Sequence, residues 1–336
     1  MVHGDNGAGK SNLLEAICYL GALRSFRGGK ADDLIALGED EATLDARISG
    51  EAAPRTFRAQ VARGRVRSTS LDGKRPRSLA TWRAAVQMVL FHPGDLELAT
   101  GSAEARRRFL DRLIEQMDAT YGSALSSYEK ALRSRNRLLK DPDVDRRSIR
   151  AYDAILASAG TVVGQTRGRV VADLAPLTEK AFAEVVGEQL PLAVTYRPRV
   201  EPTVAAIGEA LAQSLDKDLA RGFTAEGPHA DDLALDVRDR APVRHHASQG
   251  QHRAICLALK VAELDVLSRR TGRVPILLLD DVSSELDRTR NRRLFELLAR
   301  LGGQVFLTTT HPEFILLEDN RVDFRVVAGQ IERTER

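Results

Sequence analysis

The chain has 336 residues, 43% hydrophobic and 29% charged, which is enough for one large or two modest domains with cores of their own. No apolar run reaches the length of a membrane span, no signal peptide precedes the first motif, and the two cysteines, Cys18 and Cys256, lie in apolar helical patterns without metal-ligand spacing; membrane, zinc and disulfide classes are set aside and a cytoplasmic address is expected. A net charge of +3, from 50 basic and 47 acidic residues, argues against a uniformly basic nucleic-acid binder and shifts the question to where the charges lie.

The first motif comes at once. Gly4-Asp5-Asn6-Gly7-Ala8-Gly9-Lys10-Ser11 satisfies the phosphate-loop pattern in full. Its glycines let backbone wrap an anion, Lys10 offers a charge to the β and γ phosphates of ATP, and the Ser11 hydroxyl is placed for Mg2+. From Asn12 the spacing of Leu13, Leu14, Ile17 and Leu20 predicts a helix whose N-terminus faces the phosphates. A strand should deliver such a loop, yet only Met1, Val2 and His3 precede Gly4, too few for a core strand. Either the start belongs further upstream or the chain lacks an element its fold needs.

Residues 42 to 91 alternate with a period near two and suggest a small antiparallel sheet, with strands paired around Asp72-Gly73. Arg55, Arg58, Arg63, Arg65, Arg67, Lys74, Arg75 and Arg77 face a single acid there, Asp72. A second basic stretch holds Arg106, Arg107, Arg108 and Arg112, then Arg133, Arg135, Arg137 and Lys140. Each patch reads equally well as a solvated face; together, beside an ATP site, they suggest a surface for a phosphate backbone, with Arg65, Arg67, Lys74, Arg75, Arg106, Arg107 and Arg108 as candidate DNA contacts. A long amphipathic helix is predicted from Ser102 to about Lys140, broken by Asp141-Pro142-Asp143. Another follows from Ile149 to about Val186, then a strand over Pro191 to Arg199 and a short helix over Val204 to Leu215. The fold class is α/β, and the middle third reads as a mainly helical arm inserted into an α/β domain.

Val274 to Asp281 form a continuous apolar run ending in two acids, as a buried parallel strand would. Asp280 is the expected Mg2+ carboxylate, and Asp281 stands where a base would orient the attacking water. Ser248-Gln249-Gly250-Gln251 opens an apolar helix upstream of that strand. In this place it resembles the signature motif of ABC-type ATPases, in which a Ser and helix-start amides bind the γ-phosphate held by the other subunit. The resemblance implies an ATP-dependent homodimer, with Ser248, Gly250 and Gln251 acting in trans, Asp287 in a D-loop formed by Ser284-Glu285-Leu286-Asp287, and His311 as a switch histidine. An Asp at 281, where related ATPases carry Glu, implies slow hydrolysis.

Further stretches resemble the bacterial RecF family, recombination mediators related to SMC ATPases. They are Gly4 to Ile17, Arg24-Ser25-Phe26-Arg27 with Asp33-Leu34-Ile35, Phe91-His92-Pro93-Gly94-Asp95-Leu96, Arg106 to Asp111, Arg135 to Lys140, Gly227-Pro228-His229-Ala230-Asp231-Asp232, and Leu278 to Asp287. The resemblance implies an ABC-type head, residues 1–98 with 262–336, and a helical second lobe, residues 99–261, that carries the signature. It also implies ATP and Mg2+ as cofactors, with Gly4 to Asn12 cradling the nucleotide and Lys10, Asp281 and His311 serving catalysis. Implied too are binding of duplex and gapped DNA, work with RecR, RecO and RecA in DNA repair, replication restart and the SOS response, and weak ATP hydrolysis used as a switch.

Three departures qualify the resemblance. The family begins with further strands and an Arg-Asn-Tyr stretch, from whose absence poor ATP binding or poor folding is expected. Ala230 replaces an Arg, and His92 stands at the position of the transporter Q-loop Gln, with Gln87 nearby in a pattern that suits an ordinary strand. The competing readings are an ATP-independent DNA-binding scaffold with a crippled nucleotide site, and a small-molecule kinase, which would leave the D-loop and signature without a role.

Overall fold

The computed structural model describes residues 1–49, 54–63, 68–143, 145–186, 190–237, 241–281, 292, 295–296, 302–315 and 321–334. In chain order these form β1 (Val2–His3), α1 (Lys10–Ala22), β2 (Glu41–Ile48), β3 (Arg55–Ala62), β4 (Ser68–Leu71), α2 (Leu79–Arg83), β5 (Met88–Phe91), α3 (Glu97–Thr100), α4 (Ala103–Glu115), α5 (Ala119–Leu138) and α6 (Arg146–Val186). There follow β6 (Leu192–Arg197), α7 (Val204–Arg221), β7 (Asp232–Val237), β8 (Ala241–Pro242), α8 (Val243–His246), α9 (Gln249–Thr271), β9 (Ile276–Asp280), β10 (Val305–Thr309), β11 (Asp323–Val327) and β12 (Gln330–Thr334). Two compact units result, Met1–Asp95 with Leu267–Arg336, and Leu96–Val266, the division falling inside α9.

The first unit is built on a six-stranded sheet in the order β12-β11-β1-β10-β9-β5. Strands β11, β1, β10, β9 and β5 run parallel, while β12 returns antiparallel to β11. The expectation that three residues are too few for a core strand fails here. Val2 pairs with Thr308 on one side and Phe324 on the other, and its side chain is buried. A two-residue strand holds this place because the longer neighbours β10 and β11 supply a ladder along both of its edges.

A separate antiparallel sheet, β2-β3-β4, alternates buried Phe57, Ala59 and Val61 with exposed Thr56, Arg58 and Gln60. It is shorter than the sequence suggested: β5 leaves this pattern and joins the parallel sheet beside β9. Asp72 and Gly73, both at positive φ, make a tight turn closed by an isolated Leu71–Lys74 bridge, and α2 is the next element in the chain. The inner face packs on Trp82, whose ring meets Phe57 edge-on at 5.2 Å and whose Nε1–H donates to the Leu20 carbonyl at 2.8 Å. That bond satisfies the one polar atom of a fully buried indole.

The second unit holds α3 to α8, most of α9, and an antiparallel sheet β6-β7-β8. The helix expected from Ser102 to Lys140 is two helices, because the Asp118 carboxylate accepts from the Thr120 and Tyr121 amides and caps a new start. Helix α6 runs 41 residues through Pro176, and α7 continues to Arg221, six residues past the expected end. Strand β7, next to the Gly227–Asp232 loop, was not anticipated: its Leu-Ala-Leu-Asp-Val run is too short to declare a period.

Charge is the surprise in this unit's interior. Arg167, 3% exposed, donates to both oxygens of Asp111 at 2.9 and 3.0 Å, to the Pro228 carbonyl at 2.7 Å and to Asp231 at 3.3 Å. The Tyr121 and Tyr196 hydroxyls complete Asp111 and Asp231 respectively. Arg135, wholly buried, reaches Asp153, Asp218 and Thr224 at 2.7 to 2.9 Å. A buried guanidinium is tolerable when carboxylates surround it in this way.

Candidate nucleotide site

The register of the parallel sheet gathers the motifs at one edge. His3 lies beside Thr309 and Thr308 beside Asp280, so the loop after β1, the acids after β9 and the residues after β10 leave the sheet at the same carboxyl end. This is where open parallel sheets hold ligands.

The phosphate loop has the backbone its glycines were expected to allow. Gly4 sits at φ 151°, where a Cβ would come within 2.5 Å of the Val326 carbonyl oxygen, and Gly9, at φ 107°, leads into α1. From the other side, the turn between β11 and β12 presses on the loop, with the Gly329 amide donating to the Ala8 carbonyl at 3.0 Å. Lys10 is buried and its Nζ donates to the Gly4 and Asp5 carbonyls at 2.8 and 2.9 Å, closing the loop on itself. Asp5, Asn6, Gly7 and Asn12 are exposed, Ala8 and Ser11 half-buried.

At the end of β9, Asp280 is 7% exposed and accepts from the Thr308 hydroxyl at 2.8 Å. Asp281 turns the chain at φ 50°, its amide held by the Thr308 carbonyl and hydroxyl, both at 3.2 Å. The Ser11 hydroxyl and the Asp280 carboxylate are hard oxygen donors of the kind Mg2+ takes beside phosphate, so the residues present fit that ion. His311 is exposed, its ring Nδ1 3.1 Å from Glu313 and its amide on the Thr309 hydroxyl at 3.0 Å. Asp287 and the rest of the expected D-loop lie outside the described residues.

Sequence reasoning did not single out the link between α1 and the Arg24–Arg27 stretch. Arg27 donates to Asn12 at 2.9 Å and lies 3.4 Å from Glu15, whose other oxygen accepts from Ser25. Phe26 packs against His92 with ring centroids 5.3 Å apart and the rings tilted by 46°, and the His92 amide donates to Asp95 at 2.9 Å. Gln87, expected in an ordinary strand, is buried immediately before β5 and donates to the Ala84 carbonyl at 3.2 Å.

In the second unit, Ser248 and Gln251 form a reciprocal cap at the start of α9. The Ser248 amide donates to the Gln251 side chain at 2.8 Å, and the Gln251 amide to the Ser248 hydroxyl at 3.3 Å. Ser248 itself is exposed, and Gly250 follows within the first turn.

The candidate DNA contacts divide. Arg106 is paired in bidentate fashion with Asp232 at 2.8 and 3.0 Å, and Arg107 donates to the Asp231 carbonyl, burial lowering its pKa. Both are held by the β7 loop and are removed from the exposed basic surface expected of them. Arg108 stays exposed beside Glu104. Lys74 and Arg75 are exposed on the margin of the small sheet, whose Arg55 and Arg58 pair with Asp72 and Asp45. Arg65 and Arg67 lie outside the described residues. Among the described residues, no helix is long and apolar enough to cross a membrane.

The family model described as RecF/RecN/SMC N terminal domain matches residues 1–332. A DNA replication and repair protein RecF from Myxococcus xanthus (strain DK1622) is 39% identical, covering 98% of this chain and 89% of its own length; another, from Anaeromyxobacter sp. (strain Fw109-5), is 42% identical over 93% and 86%. A solved structure of a recombination mediator protein RecF with ATP, in the RecFOR pathway, superposes with a TM-score of 0.88 at 28% identity, covering 99% of this chain and 91% of that one. An SMC head domain from Pyrococcus furiosus, at 16% identity and a TM-score of 0.54, shares the fold. The chain belongs to the RecF family, within the wider group of RecF, RecN and SMC proteins, and its architecture is that of an ABC-type ATPase head with an inserted helical arm.

Proposed function

We propose that this chain is an ATP-dependent, DNA-binding recombination mediator of the cytoplasm: ATP with Mg2+ binds the Gly4–Asn12 loop, two chains close on the nucleotide, and the dimer holds duplex DNA at single-strand gaps. With RecR and RecO it would promote RecA loading in repair, replication restart and the SOS response. The observation that carries the reading is the convergence of the phosphate loop, Asp280, Asp281 and His311 at one sheet edge, in a chain that matches RecF proteins along nearly its whole length. Ser248, which is exposed, with half-buried Gly250 and Gln251, supplies a helix start, and Asp287 a D-loop acid, for the nucleotide of the second chain. Lys10 leaves the Gly4 and Asp5 carbonyls for the phosphates, because an ammonium gains more from an anion than from two dipoles. Hydrolysis is slow, Asp281 being a short base, and resets the switch.

The test is the sedimentation mass on gapped duplex with and without ATP and Mg2+, for the unchanged chain, Lys10→Ala and Ser248→Arg. Dimers that appear with ATP and vanish in both variants are expected. DNA binding that ignores ATP and Lys10→Ala would make the protein an ATP-independent scaffold instead.

A further inference from the structure

Thr308 is 1% exposed in the middle of the parallel sheet. A valine has the same branched shape and fills such a strand position without a polar atom to satisfy. The hydroxyl therefore calls for a reason, and its contacts supply one. It donates to Asp280 Oδ1 at 2.8 Å, with the Leu279 carbonyl as a longer second acceptor at 3.4 Å, and accepts from the Asp281 amide at 3.2 Å, while the Thr308 carbonyl takes the same amide at 3.2 Å. One side chain on β10 thus touches both acids at the end of β9. The bond to Oδ1 restrains rotation of the Asp280 carboxylate, which favours Oδ2 as the oxygen offered to a cation. With its amide held by the Thr308 hydroxyl and carbonyl, the Asp281 backbone is kept in the left-handed turn at φ 50°.

We propose that Thr308 is a positioning residue that orients the metal-facing carboxylate of Asp280 and the backbone of Asp281, so that a buried strand hydroxyl sets the Mg2+ requirement of the nucleotide site. This rests on the ATP reading given above. Partners behind a metal ligand typically govern ten- to hundredfold in metal affinity or rate. Removing the hydroxyl should accordingly raise the Mg2+ concentration for half-maximal binding of a fluorescent ATP analogue by roughly 10-fold. Binding of the same analogue in EDTA, which does not call on Asp280, should stay unchanged.

The experiment is a Mg2+ titration of analogue binding, with an EDTA control and a thermal melt, on the full chain and on Thr308→Val, Thr308→Ala and Thr308→Ser. Val and Ala should shift the Mg2+ midpoint together, and Ser, which restores the hydroxyl, should bring it back towards that of the unchanged chain; Ala decides the matter if Val does not fold. The proposal is overturned if the hydroxyl-free variants keep the original midpoint, if Ser is as impaired as they are, or if binding in EDTA falls in parallel. An unchanged chain that binds no analogue at any Mg2+ concentration overturns the ATP reading and this inference with it, before any variant is compared.

Discussion

In the second unit Arg167 and Arg135 are buried among carboxylates and carbonyls, whereas in the first Lys10 is held by carbonyls of its own loop and Asp280 by a neighbouring hydroxyl. The residue types are alike and the environments opposite. Where each charge meets a full counter-charge, the arrangement is strong and single-valued, which suits a frame. Where a charge meets only dipoles, a phosphate can replace them, as at Lys10, or a cation can join them, as at Asp280, at small cost, which suits a site. Basic residues that look equal in the sequence also separate: Arg106 is committed to the Asp232 carboxylate and Arg107 to the Asp231 carbonyl, while Lys74, Arg75 and Arg108 remain exposed.

This comparison breaks most sharply by removing charge from each unit in turn. Arg167→Met would take from Asp111 and Asp231 the guanidinium they share inside the second unit and should destabilise it by about 3–5 kcal/mol. Asp280→Asn, still able to accept from Thr308, should leave stability unchanged or raise it while abolishing hydrolysis. Trp82, the single tryptophan, lies in the first unit, so its fluorescence in denaturant follows that unit while far-ultraviolet circular dichroism is weighted to the helical second one. Arg167→Met should move the dichroism midpoint more than the fluorescence midpoint. Equal shifts in the two signals would show that the frame is shared rather than local.

A smaller effect sharpens the comparison through pH. His229 sits in the Gly227–Asp232 loop, with the Tyr128 hydroxyl at 2.6 Å from Nδ1 and the Thr224 carbonyl at 2.9 Å from Nε2. That pattern fits a neutral ring in which Nε2–H donates and Nδ1 accepts. Burial lowers its pKa from the ordinary 6.5, and the nearby Arg107 adds to the effect. Because the unfolded chain takes up the proton first, the stability this ring contributes is complete above pH 6.5 and is lost as pH falls through that value towards the depressed one. Dichroism melts across that window should fall more steeply for the unchanged chain than for His229→Gln; parallel slopes would remove His229 as the cause.

The smallest effect concerns the surface. Lys74→Gln with Arg75→Gln should leave both unfolding signals in place and lower the log-log salt slope of DNA binding by roughly 0.9 for each lost phosphate contact. An unchanged slope would return this margin of the small sheet to a solvated face.

Much of the site was legible because its chemistry is local. The phosphate loop, the acids ending an apolar strand and the Ser-x-x-Gln helix start each lie within a few consecutive residues, and short segments declare such features directly. Elements whose form depends on distant partners were not legible. Two residues before Gly4 become a core strand because β10 and β11 flank them, and Met88–Phe91 joins the parallel sheet because β9 is beside it. The break at Asp118 was readable in principle as a cap, but the apolar period on either side runs through it.

The sequence by itself determined the family and the α/β class with a helical insertion, and it marked the candidate nucleotide residues, since these follow from motif chemistry and hydrophobic period. The tertiary structure decided which charges are committed and which are available, and which hydroxyl stands behind the acids. Thr308 and Asp280 are 28 residues apart in the chain, and Arg106 and Asp232 are 126 apart. Pairings at that range are set by strand register and helix packing, which no local window of the sequence contains.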